Sequence, residues 1–442
     1  MALKGLDYFK FTPKTNCKAC GKPTCMAFCM DVAGGKIGID KCPHIKPEDL
    51  AKLSEASAPP MKTIKFGAGE CEHSAGGETV LFRHEKTFVS KSLFAVSVSP
   101  ADVDQKIAEA SKIDYIRIGE RMYVEIVYVT DTGDAAQFAA AAKKAVAAKR
   151  AVILEAASAA SAQAAVDAIK DAKPVLSGAT KANFKEWSDI AAKAGLVLGV
   201  GGANIDEVYD TIAELEKLGN KNLRADVTGA SVKETFANAV ELRRAAIAGG
   251  DRTAGYPSLV NLAKIAKGDL ERQTALASIF TLKYGSVIVM EGMSYAQALA
   301  LYGLRQNIYT DPQKPMKVEP GVYALNGADE NAVCATTVDF ALTYFIVSGE
   351  FERSGVPVNL IITDAGGYSV LTAWAAGKLT AGSIAKYIKD QVGDKVKSKL
   401  LILPGKVAVL KGELEENLPG WKIIIAPNEA VGIVKFMKDL KV

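Results

Sequence analysis

The sequence predicts an α/β protein of three parts: a small cysteine-rich N-terminal module, a central (β/α)8 barrel and a smaller Rossmann-like domain at the C-terminus. Three observations carry the prediction. Five of the seven cysteines fall within the first 42 of 442 residues. A long middle stretch alternates short apolar runs with Ala-rich or amphipathic ones, the pattern of doubly buried strands separated by crossover helices. Two proline-bearing stretches, Glu55–Lys62 and Asn307–Pro320, break these patterns and set boundaries near 1–58, 59–313 and 314–442.

In the middle part, strands are expected at Phe94–Ser99, Val124–Thr130, Ala151–Glu155, Pro174–Ser177, Leu196–Val200, Leu223–Val227, Ser258–Leu262 and Ser286–Met290. Ala135–Ala148, Ser158–Ala172 and Ile205–Leu218 read as helices between them, since Ala has the best helix propensity. Eight β/α units in about 250 residues is the size of a TIM barrel; a doubly wound open sheet is the alternative. In the last part, Asn331–Phe351, Tyr368–Ala376, Ser383–Gln391 and Asn428–Leu440 read as helices around strands at Val358–Thr363, Lys399–Leu403 and Trp421–Ile425. That pattern predicts a small parallel sheet.

Composition excludes several classes. Lys+Arg number 54 and Asp+Glu 50, a net charge of +4, too mild for an electrostatic nucleic-acid binder. No apolar run approaches the roughly 20 residues of a membrane span, and MALKGLDYFKFTPK has no signal-peptide core. The expectation is a cytoplasmic chain, in which clustered cysteines mean metal or redox work rather than disulfides.

The spacing Cys17-x2-Cys20-x4-Cys25-x16-Cys42, with Pro43 following, supplies four thiolates, one for each iron of a [4Fe–4S] cube. Zinc also accepts four cysteines, although its structural sites usually pair two C-x2-C knuckles and only one is present. Cys29 reads as a small buried hydrophobe.

NCKACGKPTCMAFCMDVAGGKIGIDKCP resembles the N-terminal Fe–S domain of the large subunit of corrinoid iron–sulfur proteins. Its four ligands match Cys17, Cys20, Cys25 and Cys42. The order of parts resembles that family as well, as does Gly76–Phe88, GGETVLFRHEKTF, at the start of the barrel. The resemblance implies a cobalamin-type corrinoid held base-off by residues 314–442. It also implies methyl carriage in the reductive acetyl-CoA pathway. Methyltetrahydrofolate, presented by a methyltransferase, gives methyl-Co(III), and the methyl group passes to acetyl-CoA synthase/carbon monoxide dehydrogenase. The cluster would return Co(II) to Co(I), fed by a reductive activator or ferredoxin, and a small subunit would complete a heterodimer.

Within the last part, TDAGGYS at 363–369 follows a strand and opens a helix, where glycines allow close backbone approach and a helix start offers free N–H groups. A tight structural turn has the same pattern. The resemblance assigns corrinoid contacts to Gly366, Gly367, Tyr368 and Ser369. Thr336 and Thr337, expected near the start of a helix, would hydrogen-bond corrin amides, or simply decorate that helix. Asn428 reads as an N-cap, the Ala430 backbone as a wall of the same cavity, and Cys334 as core. The only histidines are His44, His73 and His84, so residues 314–442 offer no imidazole to cobalt. His73, near Cys71, and His84, at a strand edge, read as ordinary surface or core residues.

The barrel shows no catalytic set of its own. Glu155, Asp226 and Glu291 lie near strand ends, and Gly199-x-Gly201-Gly202 lacks the full dinucleotide pattern. The competing function is a ferredoxin-like electron-transfer module fused to a barrel enzyme without corrinoid. A zinc-anchored assembly protein is a third.

Overall fold

A computed structural model of the chain describes residues 5–33, 37–47, 49–50, 53, 59–310, 316–393 and 395–440. Parts of both expected linkers, 54–58 and 311–315, lie outside the described residues. The chain divides into two compact units, residues 1–113 with 124–308, and residues 114–123 with 309–442.

The first unit begins with two short helices, Gly5–Phe9 and Cys25–Ala33, packed on each other. An antiparallel hairpin follows, β1 (Thr63–Phe66) with β2 (His73–Gly76). After it come β3 (Leu93–Val98), a second hairpin β4 (Asp114–Arg117) and β5 (Glu120–Tyr123) that belongs to the second unit, and then β6 (Ile126–Thr130). The series continues with β7 (Ala151–Glu155), β8 (Val175–Ala179), β9 (Val197–Val200), β10 (Leu223–Asp226), β11 (Ser258–Asn261) and β12 (Val287–Met290). Strands β3 and β6 to β12 form a closed parallel barrel, β12 pairing back onto β3. The barrel expectation is therefore met, and the open-sheet alternative is not.

The sequence explains this local order. The strands are Val-, Ile- and Leu-rich and buried on both faces, as parallel strands must be. Helix starts are fixed by side chains that accept otherwise unpaired backbone N–H groups: Asp134, Ser158, Asn204, Ser231 and Asp269. Each such cap contributes about 1 kcal/mol. Ile64, Phe66 and Ala75 of the first hairpin pack against Leu93, Ile126, Ala151, Val175, Val197, Leu259 and Val287. These are the first or second residues of the barrel strands, so the hairpin seals the amino end of the barrel. It was not expected from sequence: four-residue strands beside glycines give too short an alternation to recognise.

The second unit holds a five-stranded sheet of order β13-β15-β14-β16-β17. β13 (Gly321–Leu325) is an antiparallel edge. β14 (Val333–Val338), β15 (Val358–Thr363), β16 (Leu400–Leu403) and β17 (Lys422–Ile425) run parallel. The expected helix Asn331–Phe351 is corrected here: its first part is β14, and only Ala341–Ser354 is helical. All six residues of VCATTV are buried in the centre of the sheet. β-Branched Val and Thr fit that surface better than a helix interior. His84 is also displaced from expectation, lying in a turn and stacked on Phe82 with ring centroids 5.7 Å apart.

One buried ion pair ties the last helix of the barrel to its wall. Arg305 Nη1 lies 2.6 Å from Glu125 Oε1 and donates to the Ser92 carbonyl at 2.9 Å. Glu125 Oε2 accepts the Phe94 N–H at 3.0 Å. Both side chains are almost fully buried. Glu125→Ala strands a buried guanidinium and should lower unfolding stability by about 3–5 kcal/mol in urea titration. Removing the exposed Lys144–Asp104 pair should change it by no more than about 1 kcal/mol.

Candidate functional site

The cysteine loop is rich in left-handed residues. Lys14, Asn16, Lys18 and Gly21 all take positive φ, at 58°, 52°, 60° and 77°. Left-handed residues are a feature of the backbone nests of many Fe–S and phosphate sites. The Cys25 N–H is bound by Asn16 Oδ1 at 2.8 Å, and Thr24 Oγ1 caps the following helix through the Ala27 N–H. Cys17 is exposed, Cys20 half-buried, and Cys25 and Cys42 buried; none of the four is in a disulfide.

The apolar core around them is small: Tyr8, Phe28, Cys29, Val32, Ile39, Cys42, Ile45 and Leu53. A module this size usually needs a metal or disulfide staple. Among the described residues, no three Cys, His, Asp or Glu side chains gather closely enough to hold a single ion. Four thiols with this loop are a donor set suited to an iron–sulfur cube. Cys29 is fully buried, its thiol pushed up to about 11 by burial and then by Cys25, Cys42 and Cys20 nearby.

In the second unit, a cavity of about 350 Å³ opens at the carboxyl ends of β14, β16 and β17. Thr336, Thr337, Ser369 and Ala430 line it together, with Ile346, Leu371 and Asn428. Thr336 and Thr337 therefore reach the cavity from a strand rather than from the expected helix. Their hydroxyls are buried and without a hydrogen-bond partner, a cost of about 1–3 kcal/mol each unless a ligand satisfies them. The sequence reading missed the β16 wall. At its end, a Cβ on Gly405 would lie 2.4 Å from the Ala426 carbonyl oxygen, so only glycine lets the two strand ends approach. Asn428 is not an N-cap: the last helix, Ile433–Asp439, begins after a single 3₁₀ turn at Ala430–Gly432.

Of the glycine turn, Ser369 lines the cavity. Gly366, Gly367 and Tyr368 do not line the cavity. The N–H groups of Ala365 and Gly367 donate to Asp339 at 3.0 and 2.9 Å, and that of Gly366 donates to Asp364 at 3.0 Å. Asp339 is fully buried, with Lys317 Nζ 3.3 Å from its Oδ2. Hydrogen bonding from Gly366 and the charge of Lys317 hold the Asp364 carboxyl below its usual range. The helix that follows, Val370–Ala375, is only six residues long. Of the strand-end carboxylates, Glu291 is taken up by the Gly268 N–H at 2.7 Å and Gln273 Nε2 at 3.0 Å.

The fold and its sites define an α/β protein that joins a cysteine-rich cluster module to a TIM barrel and a sheet domain with a polar-floored cavity. A family model described as "CO dehydrogenase/acetyl-CoA synthase delta subunit" matches residues 63–437, and the chain belongs to that family. A second model, whose description is of an Fe–S cluster, matches residues 13–44. The chain is 35% identical to the corrinoid/iron–sulfur protein large subunit of Moorella thermoacetica, covering 99% of each. It is 29% identical to the acetyl-CoA decarbonylase/synthase complex subunit gamma of Methanothermobacter thermautotrophicus, over 100% of this chain and 99% of that one. For gamma subunit 1 of Methanosarcina thermophila the identity is 31%, with 96% of each covered.

Two outcomes are expected from this geometry. Thr336→Val and Thr337→Val should each raise the urea stability of the ligand-free chain, by about 1 kcal/mol, because a buried unpartnered hydroxyl is removed. Asp339→Ala should lower it by about 3–5 kcal/mol and accelerate amide exchange at Ala365 and Gly367, whose N–H groups lose their acceptor.

Proposed function

We propose that this chain is the cluster-bearing, corrinoid-binding large subunit of a methyl-transfer system in acetyl-CoA metabolism. The observation that carries the reading is the second-unit cavity. It is a site at parallel strand ends, where α/β folds bind ligands, with two buried unpartnered hydroxyls on its floor. Thr336 and Thr337 would take the amide groups of a corrin ring. Ile346 and Leu371, both exposed at the cavity, would lie against its apolar face and exclude water. A bound corrinoid supplies cobalt chemistry for accepting and giving up a methyl group.

Residues 314–442 contain no histidine, so this domain would offer no imidazole to a corrinoid, which in this reading is held base-off. Cys17, Cys20, Cys25 and Cys42 would hold a [4Fe–4S] cluster, which supplies one-electron reduction. The N–H groups of the 14–21 loop would stabilise the cluster's negative charge. In this reading the methyl group comes from methyltetrahydrofolate through a separate methyltransferase and leaves to acetyl-CoA synthase/carbon monoxide dehydrogenase. A small subunit completes a heterodimer, and a reductive activator or ferredoxin supplies electrons.

The test is an anaerobic optical and EPR spectrum of the purified protein with iron and cobalt quantified. About four irons and one cobalt per chain, with a Co(II) signal lacking nitrogen superhyperfine splitting, are expected. Cys17→Ser, Cys20→Ser, Cys25→Ser and Cys42→Ser should each lower iron content, whereas Cys29→Ala should keep it. About four irons without cobalt, after corrinoid is offered in the presence of the small subunit, would make the chain an electron-transfer module instead.

A further inference from the structure

The carboxyl-end layer of the barrel is polar, where branched apolar side chains usually fill such barrels. Glu155, Ser177, Gly199 and Arg224 are successive register partners across β7, β8, β9 and β10. With Tyr128, Asp226 and Lys264 they line a cavity of about 600 Å³, within the range of small-molecule sites. None of these residues belongs to the cysteine loop or to the second unit.

Arg224 is the central observation. It is 1% exposed, and its Nη2 donates to Ser177 Oγ at 2.6 Å. Its Nε and Nη1 are buried and have no partner. The fold makes room for it: a Cβ on Gly199 would lie 2.2 Å from Nη2 and 3.1 Å from Cζ. That close approach explains the first glycine of Gly199-x-Gly201-Gly202. The loops do not form a phosphate cradle, because their N–H groups are already used. Gly201 donates to the Ala179 carbonyl at 2.8 Å, Gly229 to Thr235 Oγ1 at 3.0 Å and Ala230 to Glu234 Oε2 at 2.9 Å.

The cations in the cavity are more than compensated, since Glu207 also lines it beside two further carboxylates. Arg224 and Lys264 face Glu155 and Asp226, and Lys264 Nζ lies 2.5 Å from Glu155 Oε1. Burial disfavours the Lys264 ammonium, but Glu155 and then Asp226 outweigh it and hold its pKa above the ordinary lysine value. A site whose cations are already compensated attracts an anion weakly. What it offers is two unpartnered N–H groups on different edges of a buried guanidinium, near carboxylate acceptors, and a donor beside an acceptor matches adjacent C=O and N–H groups.

We propose that the carboxyl mouth of the barrel binds a small uncharged molecule bearing an amide or lactam, its carbonyl on Arg224 and its N–H on Asp226. The test uses the full-length chain and ligand-observed NMR with two lactam probes, 2-pyridone and hypoxanthine, beside acetate and inorganic phosphate. Binding of at least one lactam at about 10 mM or tighter is expected, with both anions at least about tenfold weaker, since carboxylates outnumber cations in the cavity lining. Asp226→Asn and Glu155→Gln keep side-chain shape. With circular dichroism and iron content unchanged, the Asp226 variant should weaken the lactam about tenfold or more, because a charge-assisted bond becomes a neutral one. The proposal is overturned if neither lactam binds at that concentration, if acetate or phosphate binds as tightly, or if Asp226→Asn leaves lactam affinity unchanged.

Discussion

Parallel pairing is the constraint on which both units depend. A parallel strand must be followed by a crossover of fixed hand, so the barrel strands, and β14 to β17 of the second sheet, point their carboxyl ends the same way. The ladder in between is buried on both faces and must be apolar. Chemistry is therefore displaced to the strand ends. In the barrel, the hairpin residues Ile64, Phe66 and Ala75 close the amino end, so that only the carboxyl end remains open. There Glu155, Ser177 and Arg224 stand in one row of register partners through Gly199, with Asp226 one pleat further along β10. In the second unit, Thr337, Pro404 and Ala426 occupy the corresponding ends of β14, β16 and β17.

Both cavities also hold polar atoms that the fold itself leaves unsatisfied. The hydroxyls of Thr336 and Thr337 and two nitrogens of Arg224 are buried without partners. Each such group opposes folding by about 1–3 kcal/mol, and more when charged. Most buried polar groups in native proteins are paired. The molecule tolerates these exceptions because the surrounding layers are well packed and capped. The same exceptions mark where a ligand with complementary groups gains most from binding.

Much of the architecture was legible in the sequence, for physical reasons that also explain the errors. All eight barrel strands were readable because a strand buried on both faces is an unbroken apolar run between Ala-rich helices. β14 was not, because VCATTV adjoins the apolar run beginning at Phe340, and without a strong breaker between them the two merge into one apparent helix. Asp339, the residue at that junction, faces the turn across the sheet rather than solvent, and no spacing rule reveals such a long-range partner. The cysteine cluster stood out from spacing alone because its loop is local in sequence. Thr336, Thr337, Ser369 and Ala430 meet only through sheet order. The resemblance, not periodicity, put them on one site.

The glycines supply the last step. Two glycine-rich turns stood out in the sequence, the one at 363–369 as a candidate ligand cradle, and in each the backbone lies close to a charged side chain of the protein itself. Gly199 lies under the Arg224 guanidinium. Gly366 and Gly367, at φ 72° and 78°, hold a left-handed turn whose N–H groups wrap Asp339 and Asp364. A glycine pattern reports that something polar approaches the main chain closely, and an internal carboxylate satisfies that condition as well as a bound anion does. The consequence for each site is indirect but firm. Asp339 fixes the turn that launches Val370–Ala375, and so sets where Ser369 and Leu371 meet the cavity. Gly199 lets Arg224 lie flat against the barrel wall with two donors still free. In both units the glycines shape the site by admitting the charged residue that organises it.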